Sequence, residues 1–137
     1  MNKYALTFCY LLCSVVATHA NDITLTTASA PDGKEYIWKI TEEQAVNQPN
    51  WQPSSDAPPP LSVDAARELA LSLLAKENVL NPLITGINLS ASQTDSERPI
   101  WYYVIVYSVR VGSREELNKL SLKVLLLDGT EVKPTTR

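Results

Sequence analysis

The chain has 137 residues, 12 Lys+Arg against 15 Asp+Glu and a net charge of −3. Its charges are interspersed with no basic run, so it lacks the cationic stripe that tracks phosphates, which argues against nucleic acid or an anionic membrane surface as partner. The single histidine and both cysteines (His19, Cys9, Cys13) fall within the first 20 residues, so the remainder has no Cys-His dyad, no Ser-His-Asp triad and no thiolate-imidazole zinc site.

Lys3 precedes a charge-free run from Ala5 to Ala17, and Thr18-His19-Ala20 places small residues where a signal peptidase reads. This order predicts a cleavable export signal over residues 1–20. The apolar run covers about 20 Å at about 1.5 Å per residue, short of the ~30 Å hydrocarbon core, so it does not read as a membrane anchor. Cleavage leaves a domain beginning near Asn21, destined for the periplasm or the medium. That domain has no disulfide and depends on a hydrophobic core, for which its length suffices.

Residues 23–29 and 35–40 flank Ala30-Pro31-Asp32-Gly33. Proline pre-sets the turn, aspartate bonds its own backbone and glycine takes positive φ, which predicts a hairpin. Tyr36, Trp38 and Ile40 share one face of its second strand. The hairpin segment runs through residue 46, and residues 47–60 form a proline-rich connector with Trp51 as its one large apolar group. The main helix is expected over about 62–77. Ser62 caps it, Asp64 suits its positive end, and Val63, Ala66, Leu69, Ala70, Leu73 and Leu74 form an apolar stripe.

Three strands are expected after Asn81-Pro82: 84–91, 100–111 and 119–127. In the second, Trp101, Tyr103, Ile105, Tyr107 and Val109 share one face and Ile100, Tyr102, Val104 and Val106 the other, the pattern of a central strand covered on both sides. Asp128-Gly129 turns the chain into a short tail around Val132. The predicted fold is therefore α+β: an N-terminal β-hairpin, and one main helix packed on an antiparallel sheet of three to five strands within a single domain.

The remaining chemistry is sparse. The four glycines lie far apart and assemble no phosphate loop. Glu42-Glu43 and Glu115-Glu116 are neighbours in sequence, so neither pair converges on a substrate by itself, and Asp95 with Glu97 lacks the oxygen spacing of a calcium loop. No catalytic residue, cofactor or metal is expected. Asn88-Leu89-Ser90 is a glycosylation acceptor only in a eukaryotic host. The aromatics carry the binding potential, with Trp51, Trp38 and Tyr36 as candidate contacts for an envelope or secreted protein.

The helix opening Ser62-Val63-Asp64-Ala65-Ala66 with Ala70, the strand Trp101-Tyr102-Tyr103-Val104-Ile105-Val106, and the closing Val124 to Leu127 followed by Asp128-Gly129-Thr130-Glu131-Val132 together resemble a PepSY-type domain over residues 61–137. The N-terminal hairpin and a longer insertion at 108–118 depart from that pattern. The resemblance implies a non-catalytic, protein-binding or peptidase-restraining role in the envelope. Cystatin-like and NTF2-like folds share the helix-on-sheet plan and imply instead a small-ligand pocket between helix and sheet.

Overall fold

The elements run β1 (Ile23–Ser29), β2 (Glu35–Ile40), α1 (Glu42–Val46), α2 (Val63–Lys76), β3 (Pro82–Ala91), β4 (Trp101–Val111), β5 (Arg114–Glu115), β6 (Leu122–Leu126), β7 (Glu131–Val132) and β8 (Pro134–Thr136). They belong to a computed structural model that describes residues 21–92, 98–111, 114–115 and 121–137. The expected export signal, Asp95, Glu97, Glu116 and residues 112–113 and 116–118 of the 108–118 insertion lie outside the described residues.

Two Asp-Gly turns of the same construction set the strand pairings. The Ala30 amide donates to the Lys34 carbonyl and the Gly33 amide to the Ala30 carbonyl; the Leu126 and Gly129 amides repeat the pattern with the Thr130 and Leu126 carbonyls. Gly33 (φ +83°) and Gly129 (φ +88°) occupy the left-handed region, where a Cβ is strained. The first turn closes the expected β1–β2 hairpin. The second carries β6 into β7.

Helix α2 begins at Ser62, whose Oγ accepts from the Ala65 amide at 3.1 Å. It ends in a Schellman turn: Val79 N–H donates to Leu74 O and Asn78 N–H to Ala75 O, with Asn78 at φ +59°. Asparagine tolerates that conformation better than other non-glycine residues. Both helix ends fall within one residue of the sequence expectation.

All strand pairs are antiparallel, in a three-stranded sheet β1-β2-β8 and a larger sheet β3-β4-β6-β7, with β5 paired to the end of β4. The larger sheet is the middle layer of three. On one face Ile100, Tyr102, Val124, Leu126 and Val132 pack with Leu25, Trp38 and Ile40 of the small sheet and Ala45 of α1. On the other, Tyr103, Ile105, Leu125 and Leu127 pack with Ala66 and Ala70 of α2. Alternation along β4 and β6 thus feeds two cores from the same strands. Each large side chain removed from water here contributes about 2 kcal/mol, so the middle strands stabilise both outer layers.

The fold class agrees with the α+β expectation, and three features depart from it. The first is α1. Thr41 Oγ1 accepts from the Gln44 amide at 3.2 Å while Gln44 Oε1 accepts from the Thr41 amide at 2.9 Å, a capping box that starts a helix where sequence reading continued the hairpin segment. The second is β8. Pro134, Thr135 and Thr136 pair with Trp38, Ile37 and Tyr36, so the C-terminal tail completes the N-terminal sheet. The third is the position of the hairpin, which sequence reading put in the same domain without a place and which covers the second face of the main sheet.

Candidate functional site

Three surface features combine side-chain chemistry with access to solvent: a charged groove, a crevice between strand edges and the aromatic connector.

The groove, of about 570 Å³, lies where the chain crosses from the main sheet to the small one. Asp32 and Lys34 come from the first turn, Tyr36 and Trp38 from β2, Lys123 from β6, Glu131 and Lys133 from β7 and the residue after it, and Glu77 from the end of α2. At its floor Lys123, only 7% exposed, donates to Glu77 Oε1 at 2.6 Å and Glu131 Oε1 at 2.7 Å. Lys133 adds a second, exposed ammonium 3.4 Å from Glu77. Burial is the largest single influence on Lys123 and lowers its pKa, but the hydrogen bonds and charges of Glu131 and Glu77 together outweigh it and leave the ammonium above its ordinary range. The hydrogen bond from Lys123 holds the Glu77 carboxyl below its ordinary value. Tyr107, whose phenol is raised chiefly by burial, senses all three charges.

Glu77 and Glu131 therefore converge, the arrangement a carboxylate-only enzyme needs, yet the chemistry of Glu77 is wrong for proton donation. A glycosidic acid requires a carboxyl with raised pKa; here a lysine sits between the two and keeps Glu77 ionised. Among the described residues no cluster of three or more His, Cys, Asp or Glu gathers to hold a metal, and no helix is long and apolar enough to cross a membrane.

The crevice, of about 660 Å³, separates the outer strands of the two sheets and is lined by Thr24, Leu25, Thr26 and Thr27 of β1, Ser90 and Ala91 of β3, and Tyr102 of β4. Both strands are terminal in their sheet order, β1 bonded only to β2 and β3 only to β4 among the described residues. The register of β1 shifts at Leu25, and the Leu25 carbonyl accepts the buried Tyr102 hydroxyl at 2.6 Å. Burial pushes that phenol up, so it stays a neutral donor. In β3 the register shifts at Thr85 and the strand opens on Pro82. Bulges and proline blunt an edge, which leaves Thr26–Ser29 and Gly86–Ala91 as the regular stretches facing outward from each sheet.

The aromatic candidates divide. Trp38 is 1% exposed in the core between the sheets, which removes it as a free contact: alternation along β2 turns it, with Ile40, onto the main sheet. Tyr36 is half-buried, 6.5 Å from the Trp38 ring, and lines the charged groove. Trp51 folds back on the helix-side face, edge-on to Trp101 at 5.8 Å, and its Nε1 donates to Ala57 O at 2.8 Å. The structure does not gather the three into one patch. Sequence reading missed Lys123, whose signal is a single charge in a strand otherwise apolar from Leu122 to Leu127. It also missed the hydroxyls of β1, which become a site only when β3 arrives opposite them.

A pocket between helix and sheet, as a cystatin-like or NTF2-like ligand binder requires, conflicts with the packing there. Ala66 and Ala70 are fully buried against Tyr103, Ile105 and Leu125, themselves at most 1% exposed, and Leu74 one turn on is also without solvent exposure. The small alanines let the helix approach the sheet closely.

The chain matches no family model, no curated protein and no solved structure.

Proposed function

We propose that this chain is an exported, non-catalytic interaction module that takes up an extended segment of another protein at the crevice between β1 and β3. The observation that carries the reading is the pairing of two terminal strands, one from each sheet, across a common hydroxyl-lined crevice. A terminal strand presents a row of backbone donors and acceptors, and an incoming strand satisfies them while its alternate side chains enter the neighbouring pocket. Thr26–Ser29 and Gly86–Ala91 are the stretches that suit this, since the bulges lie outside them. The Tyr102 clasp on Leu25 fixes the width of the crevice from the core side. The resemblance of residues 61–137 to PepSY-type domains points to the same class, with an envelope peptidase as one kind of partner, and the export signal read at residues 1–20 supplies the compartment.

The test is site-specific photo-crosslinking in cells that make the protein. A benzophenone side chain replaces Thr27 on β1, Ser90 on β3 or, as control, Arg67 on the exposed side of α2. The expected result is one partner segment crosslinked from both Thr27 and Ser90 and absent from Arg67. Equal capture at all three positions, or capture at Arg67 alone, removes the crevice as the binding site.

A further inference from the structure

The connector supplies a second surface, independent of the crevice and on the opposite side of the main sheet. Ala57-Pro58-Pro59-Pro60-Leu61 contains three consecutive residues without a backbone N–H, and each residue preceding a proline is steered away from helical geometry. Such a tract adopts the extended polyproline helix, about 3.1 Å per residue with three residues per turn. Here both its ends are held. The Ala57 carbonyl accepts from Trp51 Nε1 at 2.8 Å and from Ser55 Oγ at 3.3 Å. The Leu61 carbonyl accepts from Tyr103 Oη at 2.9 Å, and Leu61 itself packs beside Trp51, Trp101 and Tyr103. Between these clamps Pro58 and Pro60 are exposed and Pro59 is half-buried, so two proline rings face solvent.

Charge selects the partner further. No lysine or arginine occurs between Lys39 and Arg67, whereas Glu42, Glu43, Asp56 and Asp64 do. Asp56 and Asp64 are exposed and flank the tract directly. Proline faces dock on aromatic rings, and an acidic border seeks a basic one.

We infer that Ala57–Leu61 is a preformed polyproline ligand for an aromatic-lined groove with a basic rim on another protein. The clamps hold the tract in its bound shape before encounter, which removes part of the ordering cost that a free peptide meets on binding.

The test titrates the folded chain, by calorimetry, with three aromatic-groove probes: a WW, an SH3 and an EVH1 domain, each in a form with lysines and a form with glutamates on the groove rim. The expected result is saturable binding by at least one lysine-rimmed probe, about tenfold tighter than that probe binds a free peptide of residues 54–63. Binding falls at least tenfold in the glutamate-rimmed form and in Pro58→Ala/Pro60→Ala. Trp51→Phe, which keeps an aromatic ring and deletes the Nε1 donor, moves the affinity toward that of the free peptide. Far-ultraviolet circular dichroism confirms that each variant is folded. No saturable binding to any probe, or binding indifferent to Pro58 and Pro60, overturns the inference. Neither result bears on crosslinks at Thr27 and Ser90, so the two surfaces stand or fall separately.

Discussion

The Tyr103 hydroxyl, on a side chain 1% exposed, donates to the Leu61 carbonyl at 2.9 Å. This one bond ties the central strand to Leu61, the residue between the proline connector and the cap of α2. Its neighbour Tyr102 reaches the other way, to the Leu25 carbonyl at 2.6 Å. Adjacent tyrosines on one strand thus fasten the layer above and the layer below.

Removing each hydroxyl separates these roles. Tyr103→Phe and Tyr102→Phe each cost about 1 kcal/mol, the net value of a hydrogen bond whose partner is left short of one donor. Urea unfolding measures the loss. Hydrogen exchange distinguishes the two: Tyr103→Phe raises exchange around Leu61–Ala65, and Tyr102→Phe raises it along β1. Identical exchange maps would show that the two bonds do not act locally.

The buried ammonium of Lys123 is the most sensitive charged position. Lys123→Ala leaves Glu131, 13% exposed at its side chain, and Glu77 with only the exposed Lys133 between them, 3.4 Å from Glu77 and 3.8 Å from Glu131. The expected cost is about 2–3 kcal/mol, below the ~3–5 kcal/mol of a fully buried pair because Glu77 remains 37% exposed. Lys123→Met combined with Glu131→Leu recovers most of the loss, since an apolar pair of similar volume needs no charge compensation. Chemical denaturation of the single and double variants checks both statements.

The same cluster shapes the pH dependence. The Glu77 carboxyl lies below its ordinary value in the folded chain, so its contribution is complete above that ordinary value and is lost as pH falls through the folded one. Lys123 lies above its ordinary value; its contribution is complete below that value and is lost as pH rises through the folded one. Stability is therefore flat through neutrality and declines at both extremes. Glu77→Gln makes the acid limb shallower, and a set of denaturation curves from acid to alkaline pH reads this directly. An unchanged acid limb would remove Glu77 from the account.

Close approach of α2 to the sheet rests on two small residues. Ala70→Leu forces four heavy atoms in place of a methyl at a position with no solvent exposure, at an expected cost of about 1–3 kcal/mol. Leu74→Ala at the next turn leaves a cavity and costs about 2–5 kcal/mol. If Ala70→Leu stabilised the fold, the helix–sheet interface would contain unused space and a ligand pocket there would return to consideration. Thermal and urea unfolding supply the answer.

Local chemistry made much of this architecture legible. Pro31-Asp32-Gly33 and Asp128-Gly129 specify tight turns because only glycine takes their positive φ without strain. Ser62 and the apolar stripe from Ala66 to Leu74 place α2 to within a residue at each end. Apolar residues on both faces of Trp101–Val109 announce a strand covered twice. The capping box of Thr41 and Gln44 was also present as a pattern and marks α1 once those residues are read as a start signal.

What covers the second face was decided by the tertiary structure alone. The tail Pro134-Thr135-Thr136 has no apolar alternation, and only backbone pairing across about a hundred residues makes it a strand beside β2. Long-range pairing carries no local periodicity, so no window of sequence reveals it. The convergence of Glu77, Lys123 and Glu131, and of the β1 and β3 hydroxyls, has the same origin. Residues alone determined the turns, the helix and the two-faced strand, because each depends on the conformational preferences of neighbours. The layer order, the buried ion cluster and the crevice arose where distant segments met, because burial and charge compensation act through space and not along the chain.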